Sequence, residues 1–284
     1  MVVFKKVRDL QQYLLTLRAT DTRHIGFIPT MGALHAGHTS LLKRAKTDGT
    51  ITIASIFINP TQFNDPDDFR KYPVSIDEDI ALLAREGCHV LLLPTEAEVY
   101  PEGEQKMQAY GFGYLDSVLE GAKRPGHFKG VGQVVARLLS IVNPDFVYVG
   151  QKDYQQCIVI RNLIGLLGKE NEIQLVVCPT IREADGLAMS SRNKRLTEPQ
   201  RAIAGLIYQC LVSIQAKQQD TPFNVVQKEC VDLLTAKGFE PEYVSLADAN
   251  DLTIVENYEK GRKMVALIAA RLGDIRLIDN LVIN

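Results

Sequence analysis

Short apolar, β-rich runs alternate with amphipathic stretches through the first 180 residues, and this alternation restricts the chain to few folds. Strands are expected at residues 24–29, 51–58, 89–93, 146–150 and 174–178, with helices at 39–46, 76–86, 132–141 and 155–167. Near-continuous apolar strands separated by helices predict a parallel sheet covered on both faces. This is a doubly wound α/β domain, which binds its ligands at the carboxyl ends of the strands. The remainder reads differently. Residues 200–218 are helical in pattern, and Thr221-Pro222 looks like an N-cap with proline at the first helical position, opening a helix to about 237. Strands then follow at 242–247, 264–270 and 275–278, which predicts a smaller α+β domain. Domains of 1–180 and 181–284 are expected, and 284 residues suit about two domains. No internal repeat or low-complexity tract is visible.

Composition removes several functional classes. With 32 basic and 34 acidic residues the net charge is −2, so no global field draws the chain to nucleic acid. The longest apolar runs, 90–94 and 138–142, are far too short to span a bilayer. The opening MVVFKKVRDLQQYL lacks the charged-then-apolar pattern of a signal peptide. Five cysteines (88, 157, 178, 210 and 230) include no CxxC pair. That number and spacing suit neither a disulfide framework nor a zinc knuckle, and point to packed core thiols in a reducing cytoplasm.

Polar residues gather just after the expected strands. Thr30-Met31-Gly32-Ala33-Leu34-His35-Ala36-Gly37-His38 follows the first one and leads into a helix beginning near 37–39. Histidines three apart can face one way on a helical turn. The helix start offers N–H groups and a positive dipole end, and glycine lets a phosphate approach the backbone. The imidazoles could then donate to charge growing on phosphate oxygens; the competing reading is two surface histidines on a glycine turn. Asn59-Pro60-Thr61-Gln62-Phe63 follows the second strand with amides that can orient a carboxylate, or that merely make a turn.

Gly150-Gln151-Lys152-Asp153-Tyr154-Gln155-Gln156 follows the strand at 146–150. Its lysine can reach a phosphate and its aspartate a ribose hydroxyl or Mg²⁺; alternatively the two form a solvated pair beside a helix cap. After 174–178 comes a loop from Pro179 to Asn193 with two hydroxyls in Ser190-Ser191 and the arginines Arg182 and Arg192. It reads as a mobile phosphate clamp or as a basic linker. Arg124-Pro125-Gly126-His127-Phe128-Lys129-Gly130-Val131-Gly132 matches neither common phosphate-loop pattern, leaving an anion site and a flexible loop both open. Four of these segments share one end of one sheet, the end where such folds bind nucleotides.

The motifs PTMGALHAGHTSL, INPTQF, RPGHFKGV, VGQKDYQQ and DGLAMSSRN, in this order and spacing, resemble the pantothenate synthetase (pantoate–β-alanine ligase) family over essentially the whole chain. HAGH resembles the HIGH signature of the class I synthetase and nucleotidyltransferase superfamily, and MSSRN stands where that superfamily has KMSKS. The resemblance implies a Rossmann-like ATP- and pantoate-binding domain with a smaller C-terminal lid, and a homodimer. It also implies a two-step reaction: (R)-pantoate attacks the α-phosphorus of Mg²⁺-bound ATP to give pantoyl adenylate and pyrophosphate. The amine of β-alanine then displaces AMP to give pantothenate. The resemblance implies glutamate in many relatives at the position of Gln151. The Asp77-Glu78-Asp79 stretch varies among relatives, so no protein ligand to the metal is assigned.

By the same resemblance, Met31 to His38 line the ATP site (Met31, Gly32, Ala33, Leu34, His35, Ala36, Gly37 and His38). His38 and His35 stabilise the transferring phosphoryl group and departing pyrophosphate, with His38 at the family's proton-donor position. Gly150, Gln151, Lys152 and Asp153 contact the nucleotide, Lys152 on phosphate and Asp153 near ribose, and Ile181 meets adenine through its backbone. Met189, Ser190, Ser191 and Arg192 close over the β- and γ-phosphates. Gln62 and Gln156 hold pantoate, and Gln62 also holds β-alanine. Met31 and Phe63 could wall the gem-dimethyl group of pantoate. Rival readings are another nucleotidyl-transferring enzyme of the superfamily and a nucleotide-binding regulatory module without turnover. A tRNA synthetase fits less well, because the chain is short, nearly neutral and has no evident RNA-binding module.

Overall fold

A computed structural model describes residues 1–64 and 66–283. Its elements run β1 (Val2–Phe4), α1 (Val7–Thr20), β2 (Ile25–Thr30), α2 (Ala36–Thr47), β3 (Ile51–Ile56), α3 (Pro66–Arg70), α4 (Ile76–Arg85), β4 (Val90–Leu92), α5 (Glu96–Val99), α6 (Leu119–Lys123), α7 (His127–Val142), β5 (Phe146–Gly150), α8 (Tyr154–Leu166) and β6 (Gln174–Cys178). Then come α9 (Glu198–Ala204), α10 (Leu206–Lys217), α11 (Phe223–Ala236), β7 (Phe239–Asp248), β8 (Ile254–Val255), β9 (Met264–Leu272) and β10 (Ile275–Ile283). The chain divides into two compact units, Met1–Gly150 with Val159–Cys178, and Gln151–Ile158 with Pro179–Asn284.

The first unit holds the expected doubly wound sheet, six strands in the order β1-β4-β3-β2-β5-β6. Every neighbouring pair is parallel. All six residues of β3 are buried, as a central strand covered on both faces requires. Leu41, Leu42 and Ala45 of α2 pack in one core with Ile28, Ala54, Ile56, Leu91 and Tyr148 of the sheet. The order reverses between β3-β2 and β2-β5, so the chain leaves β2 and β5 in different directions at the sheet's carboxyl edge. A crevice opens there in folds of this type.

Within the second unit, an antiparallel sheet in the order β10-β9-β7-β8 carries the other core. Leu211 and Ile214 of α10 and Val226 and Leu234 of α11 pack with Leu246, Ile268 and Leu277 of that sheet. The expected α+β character is thus present. The single helix expected at 200–218 is two, broken at Gly205. A Cβ there would lie 2.8 Å from the carbonyl oxygen of Asp185, so glycine is dictated by that close approach. Thr221 is not the N-cap of α11: Pro222 takes that place, with no side-chain cap.

All five cysteines are buried, and among the described residues none is in a disulfide. Among the described residues no helix is long and apolar enough to cross a membrane.

Candidate active site

The turn after β2 is built around a buried carboxylate. Thr30 Oγ1 donates to the carbonyl of Ser55 on β3 at 2.7 Å and accepts from Gly32 N at 3.2 Å, which fastens the strand end. Gly32 and Ala33 then take left-handed backbone angles, φ +82° and +49°. Glycine does so freely, whereas alanine is strained there. Asp79, in the first turn of α4 and 2% exposed, holds the turn in place. Its Oδ2 accepts from Ala33 N and its Oδ1 from Leu34 N, each at 2.8 Å, and Ser75 Oγ donates to Oδ1 at 3.2 Å. Asp79 therefore serves the turn that delivers the histidines.

Asp79→Ala leaves two buried N–H groups without this acceptor, at about 1–3 kcal/mol each. A clear drop in the denaturation midpoint by circular dichroism is expected, with Asp79→Asn in between. An unshifted midpoint for Asp79→Ala would show that the turn holds itself.

The two histidines cap α2 with their ring nitrogens. His35 is the N-cap, and its Nδ1 accepts from Gly37 N at 3.1 Å. His38 reaches back, its Nδ1 accepting from His35 N at 3.3 Å. This is a capping box in which imidazoles replace the usual hydroxyl and carboxamide. Because each Nδ1 accepts, the neutral rings carry their proton on Nε2, the form that donates to an anion. The ring centroids lie 4.1 Å apart at the positive end of the helix. A Cβ on Gly37 would sit 2.8 Å from His35 Cε1, so a side chain there would displace the capping ring. α2 starts at Ala36, slightly before the expected start.

After β3, Pro60–Gln62 form a 3-10 turn that docks on α7. Gln62 Nε2 donates to Met31 Sδ at 2.8 Å, which joins the ends of β2 and β3. Asn59, wholly buried, donates to Gln62 Oε1 at 3.3 Å and accepts from the Tyr100 hydroxyl at 2.8 Å. Burial pushes that hydroxyl up to about 12, so it keeps its proton at neutral pH.

The basic glycine segment at 124–132 leads from the C-cap of α6 through Gly126, the N-cap of α7, into the first turns of α7 rather than forming a flexible loop, and it backs Gln62. His127 is 5% exposed, with Nε2 3.0 Å from Arg124 Nη1 and Nδ1 2.7 Å from the Gln62 carbonyl. A guanidinium only donates, so Nε2 accepts and the Nδ1–H donates to Gln62. A Cβ on Gly130 would lie 2.2 Å from the Thr61 carbonyl, so this helical glycine lets two backbones touch. Phe63 packs edge-on against Phe69 and Tyr72, with centroids 5.2 and 5.6 Å away.

In the second unit, Gln151–Asp153 form a 3-10 turn opening α8. The Lys152 side chain is largely covered, at 19% exposure, with Nζ 3.5 Å from Asp153 Oδ1. Gln156 is half-buried on α8. The 181–189 segment is a pinned hairpin. Met189 N donates to the Ile181 carbonyl and Glu183 N to the Leu187 carbonyl, both at 2.9 Å. Arg182, which sequence pattern grouped with a phosphate clamp, instead forms a bidentate pair with Asp279 at 2.5 and 3.0 Å. Burial raises the Asp279 carboxyl, against the pull of Arg182. Arg192 sits in the 3-10 turn Ser191–Arg195, which is capped by Ser190 Oγ accepting from Arg192 N at 3.3 Å.

A cleft of about 870 Å³ lies at the opposite, amino edge of the first unit's sheet. Within it Arg18 pairs with Asp145 at 3.5 Å, and Asp145 accepts from Ile25 N at 2.6 Å. Its lining holds a single histidine, His24, and lacks the helix start and imidazole pair that the histidine turn offers to an anion. Among the described residues no three His, Cys, Asp or Glu side chains gather to hold a metal ion.

The sequence model of the pantoate-beta-alanine ligase family matches residues 2–282. The chain is 44% identical to the pantothenate synthetase of Cytophaga hutchinsonii over 282 residues, covering 98% of each. It is 42% identical to that of Porphyromonas gingivalis, covering 99% of each. Among solved structures, the pantothenate synthetase of Thermus thermophilus superposes with a TM-score of 0.89 at 36% identity, covering 99% of each chain. The pantoate-beta-alanine ligase of Francisella tularensis, solved with beta-gamma ATP and beta-alanine, does so with a TM-score of 0.83 at 35% identity, covering 99% of this chain and 97% of that one. With both its sequence and its fold matched from end to end, this chain belongs to the pantoate–β-alanine ligase family.

Proposed function

We propose that this chain joins (R)-pantoate to β-alanine, using ATP and releasing AMP and pyrophosphate. The observation that carries the reading is the paired-histidine cap on α2, opening beside Met31 and Gln62 at the carboxyl edge of the sheet, in a chain of this family. In the first step a pantoate carboxylate oxygen bonds to the α-phosphorus and the bond to pyrophosphate breaks. In the second, the β-alanine nitrogen bonds to the acyl carbon, the bond to AMP breaks and the amine loses a proton. Two anions must be brought together, so positioning and charge neutralisation provide most of the rate.

The residues divide this work as follows. The turn Met31, Gly32, Ala33, Leu34 with Ala36 and Gly37 lets the nucleotide approach the backbone. His38 and His35 donate from Nε2 to the α-phosphoryl group and the departing pyrophosphate. Lys152 serves the phosphates, Asp153 the ribose, Gly150 and Gln151 the adenosine, and Ile181 the adenine through its backbone. Met189, Ser190, Ser191 and Arg192 close over the β- and γ-phosphates, within a lid formed by residues 181–284. Gln62 holds pantoate and then β-alanine, Gln156 holds pantoate, and Met31 and Phe63 face its methyl groups. Mg²⁺ bound with ATP would neutralise phosphate charge, and Asp79, whose two carboxylate oxygens are committed to the turn, is not assigned as its ligand. A homodimer in the cytoplasm belongs to the same reading.

Pantoate-dependent exchange of labelled pyrophosphate into ATP, without β-alanine, tests it. Exchange is expected with pantoate. ATP binding without exchange would favour a regulatory module, and exchange driven by another acid would redirect the substrate.

A further inference from the structure

One buried amide holds the turn that carries Lys152. Asn280 of β10, 2% exposed, donates from Nδ2 to the carbonyls of Gln151 at 3.0 Å and Lys152 at 2.9 Å. Those carbonyls belong to the two peptide planes that flank the Lys152 Cα. Fixing both planes fixes both backbone dihedrals of Lys152, and with them the direction of its Cα–Cβ bond. Asn280 Oδ1 in turn accepts from Gln151 Nε2 at 3.3 Å. A glutamate at 151 could not make that donation, so Gln151 and Asn280 form a matched pair in this chain.

The clamp is itself anchored. Asp279, 4% exposed, accepts from Asn280 N at 2.8 Å while bound to both terminal nitrogens of Arg182. Arg182 donates to the Asn280 carbonyl at 3.3 Å and the Gly186 carbonyl at 3.0 Å, and its guanidinium lies 3.9 Å over the Tyr208 ring. One dipeptide on β10 thus ties the 151–153 turn to the 181–189 hairpin.

We propose that Asn280 is a positioning residue for the ligase reaction, aiming the Lys152 ammonium at the nucleotide phosphates by clamping the peptide planes on either side of it. This rests on the phosphate-binding role given to Lys152 above. Misplacing a charge-stabilising group by about 1 Å costs about 10²-fold in rate. Asn280→Asp keeps the size of the side chain but loses both N–H donors.

The experiment measures pyrophosphate exchange for the wild type, Asn280→Asp, Asn280→Ala, Lys152→Ala and the double variant Asn280→Ala/Lys152→Ala. Asn280→Asp is expected to lose about 10²-fold in turnover with an unchanged Michaelis constant for pantoate. The double variant should be no slower than Lys152→Ala alone, because the clamp acts through that side chain. Losses that multiply in the double variant would make Asn280 merely structural and overturn the proposal. Should Asn280→Ala fail to fold, Asn280→Ser, which retains one donor, completes the same cycle. A wild type without exchange is a failure of the functional reading, visible before any variant is compared, and it removes the proposal with it.

Discussion

His38→Ala is expected to lower turnover by about 10²–10³-fold, the usual loss for one donor aimed at developing charge. The geometry explains why the ring is hard to replace. Its Nδ1 is used by the His35 N–H, so one side chain both closes the helix start and presents Nε2–H. The two jobs can be separated. His38→Glu places at the third helical position the residue an ordinary capping box uses, so stability should hold while turnover stays low. His38→Gln keeps an acceptor for the cap and an N–H donor beyond it, and should recover more activity than alanine. His38→Ala alone should lose about 0.5–1.5 kcal/mol of stability with the cap bond. Rates from single-turnover adenylate formation and midpoints from urea denaturation report the two effects. A folded His38→Ala enzyme turning over near the wild-type rate would remove the imidazole from the chemistry.

Lys152→Ala should produce a loss of the same order, about 10²–10³-fold, without loss of fold. The Lys152 ammonium is largely covered and lies 3.5 Å from the Asp153 carboxylate. Asp153 therefore keeps the cation in place when no phosphate is present. An alanine removes the cation and leaves the turn clamped by Asn280, so circular dichroism should be unchanged. Lys152→Arg should restore little, because a planar fork does not reproduce a compact point charge. Exchange rates at saturating and limiting ATP separate lost binding from lost transition-state stabilisation. Unchanged kinetics in Lys152→Ala would place the side chain outside the reaction.

Much of this fold is legible because its cues are local. The strands expected at 146–150 and 174–178 coincide with the structure, since apolar runs bounded by turn residues mark buried strands. β1 and β8 leave no such mark and escape sequence reading. Each is a strand of three residues or fewer, defined by its pairing, β1 with β4 and β8 with β7. α7 begins at His127 rather than near 132 because its glycines look like loop residues. In the structure Gly130 meets the Thr61 backbone, and Gly132 faces Phe112, where a Cβ would be 2.9 Å from the ring. Contact with distant chain outweighs the low helix propensity of glycine there.

Site residues divide along the same line. Local sequence determined the strand–turn–helix pattern, the histidine pair at the start of a helix and the Lys-Asp pair after a strand, because each lies within a few residues of chain. Tertiary structure alone decided which groups hold those segments in shape. Asp79 acts on the turn from 46 residues away, His127 on Gln62 from 65, and Asn280 on Gln151 from 129. A backbone N–H or carbonyl accepts a partner from anywhere the fold delivers one, and such bonds impose no periodicity on the sequence.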